Sequence, residues 1–370
     1  MSLTVPLVDL RAQMAEIATE LAPEVERILT TAAFVGGPDV AGFERAYADF
    51  VGVRHCIGVA NGTDAIELAI RALGVGPGDE VILPANTFIA TAEAVARAGA
   101  TPVLVDVDER TLLIDPALVA KAVTSRTRAV LPVHLFGQLA PIEEIASVLA
   151  GSDVVIVEDA AQSQGATRHG AVSGALGRLA CTSFYPGKNL GAAGDAGAVT
   201  TDDDELAERV RLLGNHGSPR KYVHDSLGFN SRLDTIQAVV LTHKLARLPE
   251  WNDRRRVAAA RYDALLADLT DVVRPVQLEG NEHVWHLYVV RVPRRDEVLA
   301  HLNAEGIGAG IHYPVPVHLT GAFAGLGHGE GDFPETERAA AQILSLPIFP
   351  HITAEQQERV VSVLGDALHG

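Results

Sequence analysis

Cysteine is nearly missing from this chain: Cys56 and Cys181 are the two among 370 residues, so no disulfide framework holds the fold. A reducing, cytoplasmic setting is the expectation, because Met1 to Pro6 also lacks the basic stretch and apolar core of a secretory signal. Long apolar runs are absent as well. The longest stretch without Asp, Glu, Lys or Arg, Gly306 to Gly329, is broken by His312, Pro314, Pro316, His318 and His328 and by glycines, which excludes a membrane-spanning helix there. Basic charge is in deficit, with 30 Lys and Arg against 47 Asp and Glu and a net charge of −17. Nucleic acid as a partner would require a basic stripe, and none is visible. Fourteen histidines occur, yet none stands at metal-ligand spacing from cysteines or carboxylates, so no metal site is expected. Lysine is the scarcest of the common charged residues: only Lys121, Lys188, Lys221 and Lys244 interrupt an otherwise all-arginine basic set.

What is present suits a large enzyme. An apolar share of 48% over 370 residues supports about two domains with a sizeable core. Helical spacing through Leu21, Val25 and Ile28 gives way at Gly36-Gly37-Pro38 to a second helix near Val40 to Phe50. Short β-branched runs then recur at His55 to Val59, Glu80 to Leu83, Thr101 to Val107, Arg128 to Val133, Asp153 to Val157 and Ala180 to Phe184, with helical stretches between most of them. Runs that are apolar throughout, rather than alternating, belong to strands covered on both faces, so a three-layer α/β domain with a mostly parallel sheet is expected. A long helical stretch, Leu233 to about Ala267, carries Pro249 as a break or kink. Beyond it a strand over Val284 to Val292, a helix over Arg295 to Glu305 and a closing helix from Thr353 to Leu368, with Thr353 and Gln356 at capping-box spacing, imply a smaller α+β unit. The expected division is residues 1–245 and 246–370.

Familiar phosphate and hydrolase motifs fail on context. Gly74 to Gly78 precedes a strand, Gly187-Lys188-Asn189 lacks the ends of a P-loop, and Gly306 to Gly310 opens no helix. Four other features carry chemistry. Asn61-Gly62-Thr63-Asp64 lies between a strand and a helix, where small residues leave backbone N–H groups free for a phosphate, or where Thr63 or Asp64 simply caps the helix. Val154 to Asp159 is an apolar strand ending in two adjacent carboxylates, of which side-chain alternation lets one face a ligand over the sheet edge. A buried carboxylate there needs a cation, such as a protonated ring nitrogen. Ser183 to Gly191 runs from a strand into a turn holding Lys188. The other three lysines look solvated, whereas Lys188 lies in a neutral stretch where burial would lower its pKa and favour a nucleophilic amine. Gly228 to Asp234 is a polar turn before the long helix. A phosphate cradle, a carboxylate and a Schiff-base lysine together are what pyridoxal phosphate requires.

At these residues the chain resembles the DegT/DnrJ/EryC1/StrS family of pyridoxal phosphate-dependent sugar aminotransferases. The resemblance runs from Val5 to Leu10 through Asn61 to Ala65, Pro84 to Phe88, Glu158 to Gln162 and Asn230 to Asp234, to His312-Tyr313-Pro314. It implies an α/β chain of the aspartate aminotransferase-like fold type I, with a mostly parallel seven-stranded sheet in a large domain and a smaller α+β C-terminal domain. Lys188 would hold the cofactor, pyridoxal 5'-phosphate or its pyridoxamine form, and shuttle the proton. Asp159 would pair with the ring nitrogen and Gln162 would bond the ring hydroxyl. Phe88 would stack on the ring, and Gly62, Thr63 and Ser183 would hold the phosphate. Asn230 would reach the cofactor phosphate of a neighbouring subunit, which makes the expected assembly a homodimer with shared sites. The segments Tyr185 to Gly191 and Ile311 to Leu319 look most like enzymes that move an amine from glutamate to C3 of a dTDP-linked keto-deoxyhexose; Tyr185, Tyr313 and His318 are then the expected sugar contacts. Amination at C4, or a non-catalytic regulator that keeps the fold, are the alternatives. Asp39 and Gly310 depart from the family pattern, Gly310 beside the expected sugar pocket. Because every ligand implied is an anion, local donors must overcome the net charge, and Arg220, Lys221 and Arg232 are the expected cations.

Overall fold

The computed structural model describes residues 3–369. Asp9 starts α1 (Leu10–Thr31) by accepting hydrogen bonds from the N–H groups of Arg11 and Ala12. Gly37, at φ 85°, and Pro38 in the first turn launch α2 (Pro38–Val51), as the Gly-Gly-Pro break implied. Six of the seven central strands coincide with the apolar runs: β1 (His55–Val59), β2 (Glu80–Pro84), β3 (Thr101–Val105), β4 (Thr127–Val130), β5 (Val155–Asp159) and β6 (Leu179–Ser183). The seventh, β7 (Gly197–Thr201), is not among the runs named from the sequence.

Sheet order is β1-β7-β6-β5-β4-β2-β3. β7 runs antiparallel to both neighbours, and the remaining pairs are parallel, so six strands deliver their carboxyl ends to one edge. Helices α3 (Gly62–Ala72), α4 (Ile89–Arg97), α5 (Pro116–Ala122), α6 (Ile142–Val148) and α7 (Asp204–Gly214) cover the sheet. The strands bury residues on both faces, β2 and β7 along their whole length, which is why their sequences do not alternate.

The expected long helix is two, α8 (Thr235–Leu245) and α9 (Leu248–Leu265), with Pro249 in the first turn of α9, where its missing N–H costs nothing. A two-stranded antiparallel sheet, β8 (Tyr288–Arg291) with β9 (Ile343–Leu346), follows; α10 (Arg295–Ala304), α11 (Pro334–Gln342) and α12 (Ala354–His369) complete the chain. The capping box forms: Thr353 N–H donates to Gln356 Oε1 (2.9 Å) and Gln356 N–H to Thr353 Oγ1 (3.1 Å). One core cluster gathers residues of α9, α10, α12 and both short strands, and it includes Val5 from the other end of the sequence. Val5 bridges Ile307 in parallel register, so a cut at residue 245 separates Val5 from the core it fills.

Candidate active site

The ends of β5 and β6 and the starts of α3 and α4 surround a cavity of about 430 Å³. Gly62, Thr63, Phe88, Asp159, Gln162, Ser183, Tyr185, Lys188 and Tyr313 all line it. Asn230 and His318 do not. Asn230 is exposed elsewhere on the subunit. His318 must be corrected as a sugar contact: it is 2% exposed, its Nε2 lies 3.0 Å from Glu337 Oε1, and its ring packs on Phe333. Glu337 in turn accepts the N–H groups of Gly331 and Phe333, so this pair staples a loop.

Asn61, not Thr63 or Asp64, caps α3, its Oδ1 accepting the Asp64 N–H at 2.8 Å. The Ala65 N–H goes to the Asn61 carbonyl. The N–H groups of Gly62 and Thr63 thus stay available at the positive end of an eleven-residue helix, facing the cavity. Glycine is required on both sides of this cradle. A Cβ on Gly62 would lie 2.6 Å from Ser183 Cβ, and one on Gly197 would lie 2.5 Å from the Asn61 backbone. Gly62→Ala should therefore push α3 off β6 and weaken phosphate binding by about tenfold or more, read as the dissociation constant for pyridoxal phosphate. An unchanged constant would show that the helix start is not the cradle.

β5 ends with its two carboxylates separated as alternation demands. Glu158 is fully buried away from the cavity: Oε2 accepts from His134 Nε2 (2.8 Å) and Gly174 N–H (2.9 Å), and Oε1 from the N–H groups of Leu176 and Gly177 (both 2.7 Å). His134 Nδ1 accepts the Ala140 N–H, which leaves Nε2 to donate to Glu158. Burial alone would raise the Glu158 pKa, but these donors hold it below the usual carboxylate value. Asp159 faces the cavity with no arginine beside it. Thr91 Oγ1 donates to its Oδ2 (2.8 Å) and the Ala161 N–H to its Oδ1 (3.1 Å), while burial pushes its pKa up.

Lys188 sits in a turn closed by its N–H to the Tyr185 carbonyl (2.8 Å). Gly191 makes that turn possible, since a Cβ there would meet the Pro186 carbonyl at 2.2 Å. Burial brings the Lys188 amine down to about 8, against the opposing pull of Asp159. Lys244 corrects the expectation of a solvated lysine: it is 3% exposed, donates to the Gly191 carbonyl at 2.7 Å, and is also pushed down to about 8 by burial. It braces the Lys188 turn from behind.

Gln162 is already engaged, accepting the Phe136 N–H (2.6 Å) and donating to Tyr313 OH (3.0 Å), with one amide hydrogen left. The rings of Phe88 and Tyr313 pack against each other in the cavity wall, their centroids 5.1 Å apart. None of Arg220, Lys221 and Arg232 lines it, so among the described residues Lys188 is the one lysine or arginine of the wall, and the other donors there are backbone N–H groups and neutral side chains such as Thr63 and Ser183. Gly310 also lies outside the lining, paired with Ser345 behind His312. Sequence reasoning missed Thr91, Asp195, His286 and His312 in the wall. Burial and the neighbouring Lys188 hold His312 down to about 4, a neutral ring. Its position beside Tyr313 was the available signal; the others gave none.

A family model described as the DegT/DnrJ/EryC1/StrS aminotransferase family matches residues 15–365. The dTDP-3-amino-3,4,6-trideoxy-alpha-D-glucose transaminase of Streptomyces venezuelae is 48% identical, covering 97% of this chain and 95% of its own. A pleiotropic regulatory protein of Geobacillus stearothermophilus is 46% identical over 98% of each chain. Among solved structures, S. venezuelae DesV in complex with a ketimine intermediate superposes with a TM-score of 0.96 at 47% identity, over 99% of both chains. NtdA from Bacillus subtilis with bound cofactor PMP matches at a TM-score of 0.89 and 33% identity, over 96% of this chain and 82% of its own. The cofactor of such enzymes, pyridoxal phosphate, fits the residues present: free helix N–H groups for its phosphate, a buried carboxylate lacking a cation, and a neutral-leaning amine share one cavity. The chain belongs to the DegT/DnrJ/EryC1/StrS aminotransferase family.

Proposed function

We propose that this enzyme moves an amino group from glutamate to the C3 keto group of a dTDP-linked deoxyhexose. The observation that carries the reading is Lys188 and Asp159 facing one cavity beside the open start of α3. The position on the sugar is supported by the 48% identical relative, whose name places the amine at C3.

Bound there, pyridoxal phosphate supplies the electron sink for the carbon that loses its proton. Gly62 and Thr63 N–H groups and Ser183 Oγ hold the phosphate. Phe88 covers one ring face, Asp159 keeps the ring nitrogen protonated, and the spare Gln162 hydrogen reaches the ring oxygen. Lys188 Nζ would tether the group and, once released, would move a proton between substrate carbon and cofactor carbon, in one direction with the amino donor and in the other with the keto sugar. Its low pKa keeps a working fraction unprotonated near neutrality. Tyr185, 59% exposed at the mouth, and Tyr313 contact the sugar. Asn230, outside its own cavity, completes the phosphate site of a second subunit in a homodimer.

Borohydride reduction followed by peptide mapping should fix the cofactor on Lys188. Because the amine attacks only when unprotonated, the rate at which stripped protein takes up pyridoxal phosphate should rise with pH through about 8. A rate that climbs without levelling above pH 9 would contradict the lowered value. With 2-oxoglutarate, dTDP-3-amino sugars should be consumed; turnover of 4-amino sugars alone would overturn the C3 assignment. The name of the 46% identical relative favours a regulator as the second reading. Binding without turnover across that panel would select it.

A further inference from the structure

Beside the Asp159 carboxylate stand two threonines that line the same cavity. Thr87 and Thr91 are 4% and 1% exposed, and their hydroxyl oxygens are 2.7 Å apart. Thr91 Oγ1 is 2.8 Å from Asp159 Oδ2. An ionised carboxylate can only accept, so the Thr91 hydrogen goes to Asp159 and the Thr91 oxygen is left to accept the hydrogen of Thr87. The chain of donors therefore has a direction, Thr87 to Thr91 to Asp159. With the Ala161 N–H on Oδ1, one donor stands on each carboxylate oxygen and the plane of the group is fixed.

Local structure gives Thr91 another choice. In a helix a threonine hydroxyl can fold back on a carbonyl three or four residues earlier, which for Thr91, in the first turn of α4, means the N-cap Phe88 or Thr87 before it. Thr91 instead points across to β5. The same turn presents Phe88 to the cavity, so a short stretch, Thr87 to Thr91, sets both the ring-covering aromatic and the carboxylate.

We propose that Thr91 is a positioning residue for amino transfer, holding the Asp159 carboxylate ionised and aimed at the ring nitrogen, with Thr87 as the donor that orients Thr91. This rests on the function proposed above.

The test compares holoenzymes of wild type, Thr91→Val, Thr91→Ser and Thr87→Val. The readouts are the dissociation constant for pyridoxal phosphate and the ¹⁵N shift of the ring nitrogen in protein loaded with ¹⁵N-labelled cofactor. Losing one hydrogen bond to a charged group should weaken binding about ten- to a hundred-fold in Thr91→Val and move the ring signal toward its unprotonated position. Thr91→Ser should restore both, and Thr87→Val should shift both less and in the same direction. Should Thr91→Val fail to fold, Thr91→Ala removes the hydroxyl without adding a methyl and takes the same readouts. A variant lacking the Thr91 hydroxyl that keeps the wild-type shift and affinity would overturn the proposal while leaving the aminotransferase reading intact. Wild-type protein that binds no pyridoxal phosphate would overturn both.

Discussion

Lys188→Ala should fold, bind pyridoxal phosphate without a covalent link, and lose amino transfer by roughly 10⁴-fold or more, the upper range for removing a proton-transferring group. Folding should survive because the Lys188 amine faces the cavity, and the turn that carries it is closed by backbone groups, Gly191 and Lys244. Burial already disfavours its charged form. The thermal midpoint, measured at matched protein and cofactor concentrations, should therefore stay close to wild type. Kinetics and spectrum separate the two functions of the amine: borohydride should no longer fix the cofactor, and added small amines should restore part of the rate by supplying the missing base. Transfer at the wild-type rate in this variant would mean that another group carries the proton, with His286 and His312 the nearest alternatives in the wall.

Glu158→Ala should have the largest effect on stability, about 3–5 kcal/mol, the cost of removing one partner from a buried hydrogen-bonded cluster. Four donors converge on this carboxylate, two on each oxygen. Alanine strands all of them in a dry core. Glu158→Gln should do little better, because either orientation of the amide points an NH₂ at two existing donors. The sign with pH follows from the lowered folded pKa. Stability from Glu158 is present above the unfolded carboxylate value and is lost as pH falls through the folded one, so the gap between wild type and variant should close in acid. Denaturation midpoints across pH 3 to 7 check this. A variant within 1 kcal/mol of wild type at pH 7 would show that the cluster is not the brace it looks like. The adjacent Asp159 should respond as well, because His134 N–H donates to the Asp159 carbonyl at 3.0 Å and its ring holds Glu158.

The sequence made the parallel layers and the Lys188–Asp159 pair legible because both rest on local rules. Strands buried on both faces write continuous apolar runs, and a lysine in a neutral turn stands out where arginine has taken the surface. β7 was hidden because Gly197 and its neighbours look like loop; the glycine is demanded by the passage of the strand beside Asn61, a contact between distant segments. Lys244 was misjudged for the same kind of reason. Its partner, the Gly191 carbonyl, belongs to another element, and no spacing within a helix announces that. His318 sits in a motif next to Tyr313, yet its partner Glu337 comes from a later helix and turns it into a staple. Residues that touch the cavity through strand ends were readable; those whose role depends on which segments meet were not.

The Val5–Ile307 bridge sets an order on biogenesis. Leu7 and Val8 supply part of the cavity wall, yet the segment at Ile307 that pairs with Val5 just before them is translated late in the chain. Pairing so distant in sequence is slow to form and is available only after most of the polypeptide has left the ribosome. The sheet edge with Asp159 and Lys188 can assemble first, and a nascent chain will hold its catalytic groups in place before the wall that shields them from water has closed.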